Sequence, residues 1–410
     1  MSTPRSLQAP RNFCLMRELS ELGFRTIIIT SDSNHLAAPP HIDKTSKIEV
    51  IEGVSVIWLR TLKYVKTNSL RRILSWLDFE WQLIKFPKKS LHKPDVIVCS
   101  SLSILTILNG LVLKARFRCR LVFEVRDIWP LTLIEEGGYS RFNPLIIMLS
   151  VVEKLGYRWS DVIVGTMPNL IAHVENILGS NFPAEVYCIP MGYDRHHLTG
   201  GEPLSSDYIE DYIPKNKFVV THLGSVGITN SLETLLDCAK SMQVCTEIHF
   251  LVVGDGDLRE HYMQKYGSLT NVTFAPKVPK AQVQSILAQS NIVYLSVPKS
   301  DVWIYGQSLN KIIDYMLSGT PVIASYSGFK SMINEANCGV FIDAEDPVML
   351  SHTILEYYDK PVEELAQIGR RGREWLLEHR NYADLAKSYS KILFRDSKAL
   401  DSQHITTGSN

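Results

Sequence analysis

Tyr305-Gly-Gln-Ser-Leu-Asn-Lys-Ile-Ile-Asp-Tyr-Met-Leu-Ser-Gly-Thr-Pro-Val-Ile-Ala-Ser325 is the stretch on which the fold turns. A glycine and polar turn, Gly306 to Ser308, runs into a short helical pattern from Leu309 to Leu317. Gly319 stops that helix, and the β-branched run Pro321-Val-Ile-Ala follows. A loop feeding a helix N-terminus presents free backbone N–H groups and a positive dipole end, which together suit a diphosphate. Lys311 adds a mobile cation there. Asp314 lies one turn further on, on the side of Lys311 or Asn310, where a carboxylate is placed to accept hydrogen bonds from ribose hydroxyls. The same residues also fit an ordinary α/β crossover with a solvated lysine and aspartate, so both readings stand at this point.

The chain around this stretch has 410 residues, more than one typical core, and two domains of about 200 residues are expected. A 45% hydrophobic and 21% charged composition is that of a soluble globular protein. The net charge of zero hides an asymmetry: residues 1–195 carry 24 Lys and Arg against 18 Asp and Glu, and residues 196–410 carry 19 against 25. The seven cysteines (14, 99, 119, 188, 238, 245 and 338) form no Cys-x-x-Cys pair, which is the pattern of reduced, buried thiols in a cytoplasmic protein. The first ten residues lack the apolar core of a secretory signal. One uncharged span, Val96 to Leu113, has the length of a membrane helix, yet it opens on a β-branched run and contains Ser100, Ser101, Ser103, Asn109 and Gly110. A strand followed by a buried helix describes it better.

Taken in order, the chain alternates strand and helix signals. Asn12 to Leu22 has helical spacing and ends at Gly23; Arg25 to Thr30 is a strand. A doubly wound sheet ordinarily opens with a strand before its first helix, and nothing before Pro10 serves, so either the first strand is expected to be missing from this sequence or the sheet starts one strand late. Ile48–Ile51 and Val54–Trp58 flank a Glu52-Gly53 turn and predict a hairpin. Asn68 to Phe86 is helical, with Arg71, Arg72 and Lys85 beside Trp76, Phe79, Trp81 and Phe86, and Lys88, Lys89 and Lys93 follow. It fits an amphipathic helix in an anionic lipid interface and equally a crossover helix with aromatic core contacts. No nucleic-acid recognition motif accompanies these basic residues. Short β-branched runs then recur at 95–100, 120–124, 161–165 and 186–190, and again at 218–223, 248–253, 272–274, 292–296 and 322–324. Such runs separated by helices indicate parallel sheets covered on both faces. The glycines and prolines of 196–216 predict a linker between residues 1–195 and 217–375. A last helix at 376–395, expected to pack back on the N-terminal domain, is followed by a polar tail, 396–410, expected to be disordered. Ligands of such sheets bind at the carboxyl ends of strands, which puts the expected site in a cleft where the two halves face each other.

Three further constellations lie at predicted strand ends. Gly224-Ser225-Val-Gly227 and Gly254-Asp-Gly256-Asp257 are strand-to-helix turns that can approach a phosphate closely. Asp255 and Asp257 imitate an Asp-x-Asp metal motif, but turns of this kind favour glycine and aspartate anyway, and no metal is expected. Glu124-Val-Arg126-Asp127 places three charges at the end of a buried strand, where they pair or are used; Asp127 is the functional candidate, and a structural Arg126 salt bridge is the competing reading. Glu135-Glu136-Gly137-Gly138 is expected to form a mobile loop. The motifs of serine hydrolases, zinc peptidases, P-loop NTPases and dinucleotide dehydrogenases are all missing from the sequence.

As an ordered set, these residues resemble the nucleotide-sugar glycosyltransferases of family 4. The set comprises Ser31-Asp-Ser-Asn-His35, Val125-Arg-Asp-Ile-Trp-Pro130, Ile189-Pro-Met-Gly-Tyr-Asp194, Gly224-Ser-Val-Gly227 with Leu232-Glu-Thr-Leu235, Val253-Gly-Asp-Gly256, and Tyr305-Gly-x-Ser-Leu-Asn-Lys311 with Asp314-Tyr-Met and Gly319-Thr-Pro-Val322. The likeness runs from about residue 10 to 395 and is nearest to bacterial O-antigen and capsule transferases of the aminosugar (fucosamine) type. It implies the GT-B fold: α/β, with two Rossmann-like, doubly wound parallel-sheet domains facing across a cleft. It also implies a hexosyltransferase, acting with retention and without a metal or other cofactor. The C-terminal half would bind a nucleotide-sugar donor, UDP-linked. Gly224, Ser225, Gly227, Gly254, Gly256 and Gly306 would belong to the donor site, the backbone of Gln307, Ser308, Leu309 and Asn310 with Lys311 would hold the diphosphate, Val278 would lie in the loop that meets the base, and Asp314 would hold the ribose. The N-terminal half would bind a lipid-diphosphate-linked saccharide, with Arg126 and Asp127 near the transferred sugar, and Arg71, Arg72, Trp76, Lys85, Lys88 and Lys89 at the inner face of the cytoplasmic membrane. The sequence departs from the family pattern in three places. Gly306 stands where the first acidic residue is usual, Ile228 where a basic residue follows the glycine turn, and Met191 where an asparagine is usual. The second departure leaves Lys311 more of the phosphate-neutralising role. A UDP-sugar 2-epimerase of the same fold and a catalytically weakened nucleotide-sugar binder are the alternative functions.

Overall fold

The computed structural model describes residues 11–33, 42–64, 70–87, 92–101, 103–198 and 201–394. Lys88, Lys89, the Asn34-His35 end of one quoted motif and the tail 396–410 lie outside the described residues. The chain divides into two compact units, one made of residues 1–190 with 382–410 and the other of residues 191–381.

In the N-terminal unit β1 (Ile27–Ser31), β2 (Ser46–Ile51) and β3 (Val54–Leu59) form a sheet ordered β1-β3-β2, with β1 parallel and β2 antiparallel to β3. The hairpin expected around Glu52-Gly53 is the β2–β3 pair. A second sheet holds β4 (Val96–Ser100), β5 (Arg120–Val125), β6 (Val162–Gly165) and β7 (Glu185–Cys188), all parallel and in chain order. The helices are α1 (Arg11–Glu21), α2 (Leu70–Lys85), α3 (Thr106–Phe117), α4 (Leu131–Glu135), α5 (Pro144–Trp159) and α6 (Leu170–Leu178). Val96–Leu113 is thus a strand and part of a helix, but the helix is not buried as expected: in α3 only Ile107 and Gly110 are buried, and Val112 is 65% exposed.

Strand alternation sorts the two faces of this second sheet. Val122 and Val164 pack under α1 and the helix Tyr382–Phe394, with Leu15, Leu385 and Tyr389. The neighbouring positions face the other way: a Cβ on Gly156 of α5 would come within 2.8 Å of the Phe123 ring, and one on Gly110 of α3 within 3.1 Å of Leu121. These small residues let α3 and α5 approach the sheet closely. Alternation also turns Glu124 to the α1 side, where it pairs with the buried Arg11 at 3.0 Å and lies 3.4 Å from the Tyr389 hydroxyl. Glu124 is therefore a structural charge, held by a residue 113 positions earlier in the sequence and not by Arg126. The expected loop at 135–138 is a closed helix end: the Gly137 N–H bonds to Thr132 O at 3.3 Å and that of Tyr139 to Leu133 O at 3.2 Å.

The C-terminal unit is one parallel sheet of β8 (Phe218–Leu223), β9 (Ile248–Val253), β10 (Val272–Ala275), β11 (Ile292–Ser296), β12 (Val322–Ser325) and β13 (Gly339–Ile342), ordered β10-β9-β8-β11-β12-β13. Its strands are near-continuous apolar runs because both faces are covered. Leu235, Leu236, Tyr262 and Leu350 pack on one face, and Ile312, Tyr315, Met316 and Leu376 on the other. Strand β13 escapes a reading of the sequence, since Gly339-Val-Phe-Ile342 is short and opens on a glycine.

Residues 196–216 are not a linker. Ser205 caps a helix, Ser206–Tyr212, by accepting from the Tyr208 N–H at 3.2 Å; Tyr208 donates to Pro276 O at 2.8 Å, and Leu204, Tyr208 and Tyr212 pack on Val219 and Leu251. The segment is a part of the C-terminal unit. Residues 376–379 finish the helix Val362–His379 of that unit, and Tyr382–Phe394 belongs to the N-terminal unit.

Candidate functional site

In chain order the six C-terminal strands run 3-2-1-4-5-6 across the sheet, so the direction of winding reverses between β8 and β11. The crevice outside the carboxyl ends of strands at such a switch point is where open α/β sheets take ligands. The residues leaving β8 there are Gly224, Ser225, Val226 and Gly227. Tyr315 ties this edge to the helix Asn310–Ser318: its hydroxyl accepts from the Leu223 N–H at 3.0 Å and lies 3.0 and 3.1 Å from the carbonyls of Leu223 and Tyr294. The first turn of that helix is therefore held at the end of β8.

Lys311 lies in this first turn. Its ammonium bonds Asn230 Oδ1, and Asn230 in turn donates to Ser225 Oγ at 2.8 Å and accepts from Ser296 Oγ, through its carbonyl, at 2.5 Å. Burial brings the Lys311 ammonium down to about 8. His222, fully buried on β8, lies beside it. Burial followed by the Lys311 charge lowers the imidazole to about 3, with the backbone of Ser225 and Tyr294 opposing the shift, so the ring is neutral at physiological pH. Gln307 is 6% exposed and its amide makes no hydrogen bond through either atom. Leu309 occupies the N-cap position and supplies no side-chain cap, whereas Asn143 caps α5 by accepting from the Leu145 N–H at 2.9 Å. An uncapped helix start with a buried cation and an unsatisfied amide is a site made for an anion.

The structure brings Gly224, Ser225, Gln307 and Lys311 to this one edge and gives other work to several expected donor residues. A Cβ on Gly254 would lie 1.8 Å from Gly224 O, and one on Gly256 would lie 2.4 Å from Val226 O. These two glycines allow the β8 and β9 turns to pack against each other; they are packing residues. Gly227 has open space at its Cβ position. Val278 is half-buried and packs against Val219, Leu251 and Ile286. Gly306 has φ +100° and bonds through its N–H to Trp303 O at 3.0 Å, ending the 3-10 turn Asp301–Tyr305. A side chain there would be strained, so the missing acidic residue follows from the backbone path. Ser308 and Leu309 are half-buried and Asn310 is exposed.

Asp314 is not solvated. Both of its carboxylate oxygens lie 2.5 Å from the ammonium of Lys280, in a short 3-10 turn after the Val278 loop. Gln284 of the same segment donates to Asp314 O at 3.1 Å. Lys280, His222, Asn230 and Tyr315 are the site residues that the sequence reading missed. His222 alone had a local signal, a polar residue in an inward strand position among apolar ones; the other three depend on register between elements.

The N-terminal unit carries a second cluster where β5 ends. Ser101 Oγ receives the Arg126 N–H at 2.9 Å and the Asp127 N–H at 3.4 Å, fixing the turn. Asp127 itself is exposed, yet the protein crowded around its carboxyl raises its pKa, with Arg126 and Arg72 opposing the shift. Glu136 is raised as well, by burial and then by the Asp127 charge. Arg72 lies over the Trp76 ring at 5.1 Å, and Trp76 meets Trp129 edge-on at 5.7 Å. Arg71 and Lys85 project from α2 into solvent. Two carboxyls of raised pKa beside two arginines suit proton transfer and anion contact at one place.

Residues 217–360 match the family described as Glycosyl transferases group 1. No curated protein matches the chain. Among solved structures, sucrose-phosphate synthase from Thermosynechococcus elongatus superposes with a TM-score of 0.70 at 18% identity, over 92% of this chain and 90% of that one. Anabaena Alr3699/HepE in complex with UDP and glucose gives 0.62 at 15% identity, over 95% and 96%. A trehalose-6-phosphate structure from E. coli bound with UDP-2-fluoro glucose gives 0.69 at 11%, over 93% and 94%. These likenesses show the fold, two parallel-sheet α/β domains of the GT-B kind. A glycosyltransferase group 1 domain on that fold supports an enzyme of the transferase class, EC 2.4.

Proposed function

We propose that the chain transfers a sugar from a UDP-linked donor to a saccharide carried on a lipid diphosphate, at the inner face of the cytoplasmic membrane and with retention of anomeric configuration. The observation that carries the donor half is Lys311, a buried ammonium at an uncapped helix start on the switch point of a 3-2-1-4-5-6 sheet. This edge lies inside the region that matches the group 1 glycosyltransferases. HepE, of the same fold, is seen in complex with UDP and glucose.

In this reading the diphosphate lies on the first turn of the helix Asn310–Ser318 and against Lys311. Positive charge that is fixed before the reaction stabilises the departing diphosphate without reorganisation, and no metal is required. Asp314 binds the ribose hydroxyls while its other lone pairs remain on Lys280, and the backbone at Val278 meets the base. Asp127 and Arg126 act on the acceptor side, Asp127 as the proton acceptor for the acceptor hydroxyl. The raised pKa of Asp127 makes it a stronger base than an ordinary carboxylate.

The test is incubation with UDP- and GDP-sugars and lipid-linked saccharides, with products read by mass spectrometry, in the presence and absence of EDTA. Transfer from a UDP-sugar that survives EDTA is expected. No transfer and no nucleotide-dependent thermal shift across the panel would sink the proposal, and conversion of a UDP-sugar without acceptor would replace it by an epimerase. One observation favours a second reading: the backbone at Gly306 excludes the acidic residue usual there, which fits a protein that binds nucleotide-sugar without turnover. Tight UDP-sugar binding with no product would select it.

A further inference from the structure

Helices that cover a sheet normally turn their apolar side inward and their polar side to water. Three adjacent helices of the N-terminal unit depart from the second half of this rule, each carrying apolar residues into solvent as well as inward. In α2 the inward side mixes the apolar Phe79 and Leu83 with Ser75 and Glu80, and Glu80 accepts from the Thr106 hydroxyl and the Asn109 amide of α3, each at 2.6 Å. Its outward side carries Leu74, Leu77, Trp81 and Ile84, all at least half exposed and spaced along one stripe. In α5 the outward stripe is Ile147, Val151, Leu155 and Trp159, with Trp159 58% exposed. Between them α3 adds Leu108 and Val112, the latter 65% exposed. Helix α3 packs against both α2 and α5, and right-handed crossovers place α3 and α5 on one face of the β4–β7 sheet. Neighbouring helix axes lie about 8–10 Å apart, so the three stripes form one apolar surface.

The charges on these helices are one-sided. Arg71 and Lys85 of α2, Arg116 of α3, and Lys154 and Arg158 of α5 are exposed, and Lys85 lies over the Trp81 ring at 4.8 Å. Among the described residues no exposed Asp or Glu lies in the three helices: Glu80 and Glu153 are buried, and Asp78 receives the Leu62 N–H at 2.8 Å. A second copy of this surface would bring cations against cations. Among the described residues no helix is long and apolar enough to cross a membrane. Outward leucine, isoleucine and tryptophan rimmed by Lys and Arg match the interface of an anionic bilayer, where the rings lie at headgroup depth and the cations meet lipid phosphates.

We infer that the outward face of α2, α3 and α5 is a docking surface for an anionic lipid bilayer. This goes beyond the basic stretch at Arg71–Lys93, because most of the apolar contact comes from α3 and α5. It rests on the proposed function in one respect, the delivery of a lipid-held acceptor. The first turns of α2 carry Arg72 and Trp76, which reach Asp127 and Trp129, so a headgroup held at this surface lies beside the Asp127 cluster.

The test uses the full chain and sedimentation with vesicles of phosphatidylcholine alone or with phosphatidylglycerol added, and UDP binding is measured on the same samples. Binding to the mixed vesicles is expected, weakening as salt rises. Val151→Glu with Trp159→Glu, and separately Leu77→Glu with Trp81→Glu, should each lower vesicle partitioning about tenfold or more. Ile304→Glu, at an exposed position of the C-terminal unit, should leave it unchanged. Unaltered thermal unfolding of the variants shows that folding is not the cause; should one pair unfold the chain, the other decides. Failure to bind anionic vesicles, or equal binding by all variants, overturns the inference. So does a dimer in gel filtration that the same substitutions dissociate without any vesicle binding. Vesicle binding by a chain with no affinity for UDP would leave this surface standing and remove the proposed reaction.

Discussion

Lys311 is the cation of the helix start in the C-terminal unit, and its protonation gives a direct test of its proposed role. Its pKa of about 8 lies below the ordinary 10.5 because burial disfavours the ammonium. A diphosphate binds the charged form and raises that value. UDP affinity should therefore be level below pH 8 and fall towards about tenfold per pH unit above it, with proton uptake seen by calorimetry. Affinity that stays flat to alkaline pH would detach Lys311 from the phosphates. His222 works on stability. Its folded pKa of about 3 lies below the ordinary 6.5, so the unfolded chain binds the extra proton between those values. Stability is then full above pH 6.5 and falls as the pH drops through this window, by at most about 1.4 kcal/mol per unit. Urea unfolding of His222→Phe should lack that slope. Asp314→Ala should weaken UDP binding by about 1.5–3 kcal/mol through the loss of a charged acceptor. Lys280→Ala, which frees the carboxylate without removing it, should raise the donor KM less and leave kcat nearly unchanged. An unaltered KM in Asp314→Ala would end the ribose assignment.

At the scale of the element, the helix Asn310–Ser318 owes its position to Tyr315, which bonds the end of β8, and owes its reactive start to the absence of a cap at Leu309. The turn before it is set by Gly306 at φ +100°, a conformation that costs a side chain about 1–3 kcal/mol. Gly306→Glu should thus lower the melting temperature and bring no gain in turnover. A more active and equally stable variant would show that the turn accommodates a carboxylate after all. The α2 helix gives the complementary lesson. Its composition fits both a core helix and a surface helix, and the structure gives it both faces: Phe79 and Leu83 pack inward beside Glu80, which holds Thr106 and Asn109, while Leu77 and Trp81 face outward.

For the whole molecule, the two units differ in continuity. Residues 191–381 form the C-terminal unit without interruption, whereas the N-terminal unit needs the last helix, which packs on α1 through Leu385 and Tyr389 and stacks Phe394 on Phe24 at 4.6 Å. A fragment of residues 191–381 should fold cooperatively and bind UDP. A fragment of residues 1–190 should not fold until a peptide of the helix Tyr382–Phe394 is added, because α1 and the Arg11–Glu124 pair lose their cover. Circular dichroism and heteronuclear NMR of the two fragments check this. Cooperative folding of residues 1–190 alone would show the last helix to be dispensable.

What the amino-acid sequence determined by itself is what local pattern can carry. The β-branched runs at 218–223, 248–253, 292–296 and 322–324 become β8, β9, β11 and β12 within a residue, and Gly306 to Leu317 is a turn and a helix because glycine, polar residues and periodicity are local signals. The placement of Lys311 and Asp314 one turn apart follows from the same periodicity. Their partners do not. Lys280 meets Asp314 across 34 residues and Asn230 meets Lys311 across 81, and both contacts exist only after strand order and helix register are set. The same holds for the glycines at 254 and 256, which looked like phosphate turns and proved to be the clearance between two loops. Sequence thus placed Lys311 and Asp314 one turn apart on one helix. Tertiary structure decided what they touch, because burial and charge pairing depend on distances between elements and not along the chain.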